Sequence, residues 1–107
     1  GDGGCISLVE AIAAGGPPNL KTLNLSHNQI GDGGSKAVEA ACAAGALPKL
    51  KVLYLEKNRI QEDCFVSLRL AWAAQHKQWS ALNLDYNPGH NSRTYQLIRD
   101  KLEGKLE

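Results

Sequence analysis

Apolar residues recur along the chain at two alternating periods. In the run Leu20-Lys21-Thr22-Leu23-Asn24-Leu25-Ser26-His27-Asn28-Gln29-Ile30 the Leu-x-Leu alternation predicts a short strand, because successive strand residues face opposite sides. Between such runs the spacing changes. Leu8, Ala11 and Ile12, then Val38, Ala41 and Cys42, then Leu68, Ala71 and Trp72 stand at i, i+3 and i+4, which is one face of a helix. Asp2 and Asp32 sit where helix N-caps are expected, with Glu62 or Asp63 equivalent in the following unit. Gly15-Gly16 and Gly45 stand where the helices should stop. Each unit therefore reads as strand, turn, helix, loop.

The units repeat. Thirty residues after the first run comes Leu50-Lys51-Val52-Leu53-Tyr54-Leu55-Glu56-Lys57-Asn58-Arg59-Ile60. A third copy follows 29 residues on, Trp79-Ser80-Ala81-Leu82-Asn83-Leu84-Asp85-Tyr86-Asn87-Pro88-Gly89. The shared template is L-x-x-L-x-L-x-x-N-x-I, with Trp79 in place of the first leucine and Gly89 in place of the isoleucine. Gly1-Asp2-Gly3-Gly4 aligns with Gly31-Asp32-Gly33-Gly34. The frame divides a single domain, 1–107, into a partial repeat 1–19, repeats 20–49 and 50–78, and a capping repeat 79–107. No unit is long enough to bury a core alone. Each must lean its leucines on the next, giving a parallel sheet on one side and a row of helices on the other, with right-handed crossovers.

This template resembles the leucine-rich repeat family. The period, the full helix and the Asn-x-Ile-Gly-Asp run make it most similar to the ribonuclease-inhibitor-like subfamily. The resemblance implies an α/β fold: a right-handed solenoid curved as a horseshoe arc, its short parallel sheet concave and its helices convex. It also implies that Asn28, Asn58 and Asn87 are structural, each amide lying inside a turn and bonding backbone groups of neighbouring repeats. Ribonuclease inhibitors themselves place cysteine there in alternate repeats, and this chain does not.

Gly1 aligns just after a strand that the sequence lacks, so residues 1–107 are expected to be the C-terminal part of a longer solenoid. The last helix, about Ser92 to Leu102, carries Arg93, Arg99, Asp100 and Lys101, with Glu103 just after it. It reads as a cap, with Leu97, Ile98 and Leu102 packing inward. The strand at 20–25 is expected to present an unpaired edge and to offer a route to self-association.

The resemblance further implies that strand residues between the leucines face a partner protein. They form the columns Thr22, Val52, Ala81; Asn24, Tyr54, Asn83; and Ser26, Glu56, Asp85, flanked by His27, Lys57 and Tyr86. The binding candidates are Tyr54, Glu56, Asp85 and Tyr86, with Asn24 and Asn83 beside them, since exposed aromatics are common anchors. Glu56 and Asp85 favour a basic partner patch. The competing reading is that these are ordinary solvated residues. Three strands about 4.8 Å apart and roughly 17 Å long cover a few hundred Å², against about 800 Å² per partner in a standard interface. Affinity would then need loops or further repeats. Trp72 and Trp79 align with core positions, and Tyr95 is left open between core and surface.

Composition narrows the function classes. The hydrophobic share of 43% is that of a globular chain. The formal charge is +1, and Lys49, Lys51 and Lys57 are interrupted by Glu56, so no basic block marks a nucleic-acid partner. No apolar run approaches the roughly 20 residues of a membrane span, and Gly1-Asp2-Gly3-Gly4 is not a basic or apolar leader. Three cysteines, Cys5, Cys42 and Cys64, are an odd count at no metal spacing and read as reduced thiols of a cytoplasmic protein. His27, His76 and His90 fall at unrelated repeat positions and form no zinc pattern. Ser26-His27 with Asp85 lacks a pocket or oxyanion hole for a triad. Gly31-Asp32-Gly33-Gly34 lacks the Gly-Lys-Ser/Thr of a phosphate loop.

The expected function is a non-catalytic protein-interaction scaffold, with no enzyme activity, cofactor, metal, nucleic acid or membrane. The resemblance keeps two alternatives: a GTPase regulator, since Ran GTPase-activating proteins have similar repeats, and an actin-filament capping domain like that of tropomodulin. Alanine at Asn58 is expected to cost about 1–3 kcal/mol, because buried backbone groups lose their partner. Alanine at Glu56 should cost almost nothing, and urea midpoints of the two variants compare them.

Overall fold

The computed structural model describes residues 1–14, 20–45, 50–75 and 79–104. Their elements are α1 (Asp2–Ala13), β1 (Thr22–Asn24), α2 (Asp32–Ala43), β2 (Val52–Tyr54), α3 (Glu62–Ala74), a 3-10 turn (Trp79–Ala81), β3 (Leu82–Asn83) and α4 (Ser92–Leu102). The strands form a parallel sheet in the order β1-β2-β3. Thr22 pairs with Val52, Leu53 lies between Leu23 and Leu82, and Tyr54 lies between Asn24 and Asn83. The helices pack in chain order, α1 on α2, α2 on α3 and α3 on α4. Leu25, Leu53, Leu55, Leu82 and Leu84 from the strand runs meet Val38, Leu68, Trp72 and Ile98 from the helices, with Ile30 and Ile60 closing the turns. All of these are buried, so the leucines of the template form one continuous core.

Backbone pairing continues past the strands into the turns. The Leu25 N–H donates to the Tyr54 carbonyl and the Leu55 N–H to the Asn83 carbonyl, each at 2.8 Å. Next, the His27 N–H reaches the Glu56 carbonyl at 3.1 Å and the Lys57 N–H the Asp85 carbonyl at 2.9 Å. His27 and Lys57, which make these bonds, and Tyr86, their equivalent in the third repeat, adopt left-handed φ values of 59°, 54° and 60°. Such a conformation is uncommon for residues with a Cβ, and here it recurs at one repeat position.

The asparagine that follows closes the turn. Asn58 Oδ1 accepts from the N–H groups of Asn28 and Ile30, both at 2.9 Å. Its Nδ2 donates to the carbonyls of Leu25 and Leu55, again at 2.9 Å. Asn87 Oδ1 accepts from the Ile60 N–H at 3.0 Å, and its Nδ2 donates to Leu55 and Leu84 at 2.9 Å. Both side chains are buried. Asn28 is exposed and donates within its own turn, to the Ser26 carbonyl at 3.0 Å.

Several expectations are corrected. The N-caps are Gly1, Gly31 and Gln61, so Asp2, Asp32 and Glu62 are the first helical residues. A carboxylate there still favours the helix dipole, but its oxygen is used across repeats. Asp2 Oδ1 accepts from the Gly31 N–H at 2.6 Å, and Asp32 Oδ1 from the Gln61 N–H at 3.3 Å. In α1, Cys5, Val9 and Ile12 are buried, while Leu8 is 39% exposed and Ala11 is exposed. Their counterparts Val38 and Ala41 are buried because α1 covers them, and no described helix covers α1 in turn. Leu102 is 55% exposed, and only Ile98 of the inward trio is fully buried.

Two glycines mark real constraints. Gly45, directly after the α2 C-cap Ala44, takes φ 69° and ends the helix. Gly89 replaces isoleucine because a Cβ would come within 2.7 Å of Phe65 Cβ and 2.8 Å of the Gln61 carbonyl oxygen. Phe65 fills that space. Gly15, Gly16, Lys49 and His76 lie outside the described residues.

The asymmetry among the asparagines sets an expected order of stability. Asn58→Ala strands backbone groups of two repeats, those of Ile30, Leu25 and Leu55 buried and those of Asn28 and Glu56 part-buried, whereas Asn28→Ala removes one exposed bond. The first should lower unfolding free energy by about 1–3 kcal/mol and the second by less than about 1 kcal/mol. Urea denaturation of both variants measures the difference.

Candidate partner-binding face

The side of the sheet away from the helices carries the strand residues that alternate with the leucines. Its middle column, Asn24, Tyr54 and Asn83, is fixed by the strand register. Asn24 Oδ1 accepts from the Ser26 N–H at 3.0 Å and from the Ser26 hydroxyl. Asn83 Oδ1 accepts from the Asp85 N–H, also at 3.0 Å. Asparagine favours such local turns two residues on, so the first and third strands end alike. In the second strand Tyr54 takes that place and Glu56 is left without this local tie. Asn83 Nδ2 supplies a different one, donating to Glu56 Oε2 at 3.0 Å. Glu56 is half-buried and Asp85 half-exposed.

Asp85 and Tyr86 are joined through a residue that the repeat pattern passes over. His90 Nε2 lies 3.4 Å from Asp85 Oδ1. Its Nδ1 accepts from the Tyr86 N–H at 3.3 Å. The imidazole stacks against Phe65, with centroids 6.2 Å apart and planes at 15°, and meets the edge of Tyr95 at 5.6 Å. The Pro88-Gly89 turn folds His90 back onto Asp85. The five-residue separation across Pro-Gly was the available signal, and the absence of a repeat equivalent hid it. Tyr86 is 71% exposed, and Lys57 Nζ stands 5.6 Å from its ring centroid. The two left-handed turn residues of neighbouring repeats thus present a cation beside an aromatic face.

Trp79 does not occupy the core position of Leu50. It is 42% exposed, whereas Leu50 and Trp72 are buried. The cause lies beneath it. Arg69 of α3 is 4% exposed and donates to the carbonyls of Trp79 and Leu82, both at 2.6 Å. The third repeat therefore starts as a 3-10 turn, removing Ala81 from the strand column, and the indole lies 4.2 Å from the guanidinium carbon. Burial pulls the Arg69 guanidinium below its ordinary range, though it remains a cation at neutral pH. Tyr95 is half-buried, edge-on to Phe65 at 5.7 Å and near Trp79 at 6.4 Å.

The structure does not bring Ser26, His27 and Asp85 together. Ser26 and Asp85 are separated by an intervening strand, about 10 Å at ordinary strand spacing, and Asp85 faces His90 instead of His27. Among the described residues no group of three His, Cys, Asp or Glu side chains could hold a metal ion. No described helix is long and apolar enough to cross a membrane. Cys5, Cys42 and Cys64 are buried and joined by no disulfide. Burial, reinforced by Asp2, pushes the Cys5 thiol up, and burial with Asp32 does the same to Cys64. Neither is a poised nucleophile.

Residues 18–68 match the family model described as Leucine Rich repeats (2 copies). The third copy, with Trp79 and Gly89, lies beyond the matched span. No curated protein and no solved structure matches the chain.

A raised thiol pKa leaves less thiolate at any pH below it. At pH 8 the native chain should react with an aromatic disulfide reagent at least about tenfold more slowly than the urea-unfolded chain. Equal rates in the two states would show that the thiols are open.

Proposed function

We propose that this chain is a protein-binding module. Its partner docks on the open strand face and the turn beside it, through Tyr54, Glu56, Asp85 and Tyr86, with Asn24 and Asn83 supporting them. Leucine-rich repeats are in general protein-interaction modules, and residues 18–68 match them. The observation that carries the reading is Tyr86. A large aromatic side chain is kept 71% exposed at a left-handed turn position that disfavours a bulky residue. Its backbone is braced by His90, and its ring lies beside Lys57.

The remaining groups suit recognition more than chemistry. Glu56 and Asp85 are neighbours in adjacent strand ends. Asn83 and His90 hold them in place, so a basic partner group would meet carboxylates already oriented, which lowers the ordering cost of binding. Tyr54 supplies apolar area between the two asparagines. The reading extends to a non-catalytic scaffold of the cytoplasm, built as a ribonuclease-inhibitor-like arc with a capping repeat at 79–107. The near-constant period and the three turn asparagines support the arc, and three cysteines without a disulfide support a reducing compartment.

Affinity capture on the immobilised chain, with quantitative mass spectrometry, tests the proposal. Proteins retained by the wild type should fall at least about tenfold on a Tyr54→Ala/Tyr86→Ala variant, the loss expected when aromatic anchors are truncated. The thermal midpoint of that variant should move by no more than a few degrees. Equal retention by both proteins would remove the open strand face as the site.

A further inference from the structure

We infer that His90 makes the partner-binding turn sensitive to pH: its neutral ring braces the Tyr86 backbone, and its protonated ring drops that brace and pairs with Asp85. In the first repeat the His27 N–H donates to the Glu56 carbonyl, and in the second the Lys57 N–H donates to the Asp85 carbonyl. Tyr86 stands at the same repeat position with the same left-handed φ. Its N–H donates instead to a side chain, His90 Nδ1, at 3.3 Å. The Pro88-Gly89 turn brings the ring there. The His90 N–H fastens that turn by donating to the Asn87 carbonyl at 2.9 Å.

An imidazole nitrogen accepts a hydrogen bond only when it carries no proton. Nδ1 accepts from Tyr86, so the neutral ring keeps its proton on Nε2, 3.4 Å from Asp85 Oδ1. A second proton must go to Nδ1. Two donors then face each other and the Tyr86 N–H loses its partner, while the cation is drawn to Asp85. Histidine changes charge between about pH 5 and 8, where carboxylates, phenols and guanidinium groups ordinarily do not. Around the ring stand the Asp85 carboxylate of its own turn, the Tyr95 phenol of α4 and the uncharged Phe65 ring of α3. Arg69 of α3 interacts electrostatically with Asp85 and Tyr95. Glu62 of α3 pairs with Arg93 of α4 at 3.4 Å, and Lys57 lies beside the Tyr86 ring.

Acidification therefore acts twice on the open face. Tyr86 loses the bond that holds its left-handed backbone, and ordering it again on binding costs free energy. Asp85, one of two carboxylates offered to a basic partner, is engaged by a cation of the chain itself. Glu56 is held by the Asn83 amide, which does not titrate, so the change is confined to the third repeat. A basic partner held at neutral pH is released in acid. That release rests on the binding face proposed above, whereas the switch at Tyr86 is a property of the chain alone.

NMR of the 107-residue chain tests the switch with no partner present. Near pH 7.5 the ring nitrogens of His90 should report the Nε2–H tautomer. On lowering the pH to about 5.5, protection of the Tyr86 amide from hydrogen exchange should fall about three- to tenfold, the worth of one hydrogen bond. His90→Asn keeps an acceptor near the Nδ1 position that does not protonate, so protection should stay high at both values. His90→Phe keeps the ring stack without an acceptor, so protection should be low at both. Proteins held on the immobilised wild type at neutral pH should elute in acid and stay on His90→Asn. A neutral ring protonated on Nδ1, a Tyr86 amide indifferent to pH, or the same response in His90→Asn would each overturn the switch. Retention by the wild type that is equal at both pH values would overturn the release. An immobilised chain that holds no protein removes the binding face and the release with it, and the amide measurement still decides the switch.

Discussion

A side-chain amide offers one acceptor and two donors in a plane, and the turns of this protein are built around that geometry. Behind each short strand the backbone leaves the sheet, bends through a left-handed residue and enters a helix. Doing so detaches N–H and C=O groups from the ladder while leucines and isoleucines bury them. An unpartnered buried backbone group costs roughly 1–3 kcal/mol, so several per turn would exceed what a small core can offset. Asn58 answers five such groups, two N–H groups and one carbonyl from the preceding repeat and two carbonyls from its own. The apolar core can close over the turns only because these bonds are made.

The same bonds tie one repeat to the next, so the fold is a chain of nearest-neighbour dependencies. Asp2 and Asp32 add a second link at the helix starts, each accepting from the N-cap N–H of the following helix. The third repeat is joined by Asn87 in the same way and by two contacts of its own. Gly89 yields space to Phe65, and Arg69 holds the carbonyls of Trp79 and Leu82. Where the neighbour is absent from the described residues, the links hang open. Among the described residues the Asn28 side chain bonds within its own turn, Leu8 is partly exposed, and no strand pairs with the outer edge of β1.

The open strand face inherits its chemistry from this scaffold. Alternation sends Tyr54 and its asparagine neighbours to the side opposite the core. The left-handed turn that frees Asn58 and Asn87 to bond inward also sets Lys57 and Tyr86 beside each other. His90 then couples Asp85 to the Tyr86 backbone. The residues proposed to meet a partner are therefore held by the bonds that stabilise the turns.

The strands, helices and turn asparagines were legible in the sequence because each depends on local periodicity and on a thirty-residue repeat. Leu53, Leu55 and Leu84 could hardly face anywhere but inward, and the spacing of Val38 and Leu68 marked their helix faces. Tertiary structure decided what the repeat could not encode. Trp79 aligns with a core leucine, yet a buried arginine thirteen residues from Leu82 claims its carbonyl and turns the indole outward. Asp2 and Asp32 look like caps of their own helices, but their oxygens serve the next. His90 has no repeat equivalent, and only the fold of the Pro88-Gly89 turn brings it to Asp85. Periodicity assigns a residue to a face. Which partner completes its hydrogen bonds depends on packing between repeats, and that interaction has no signature in any single repeat.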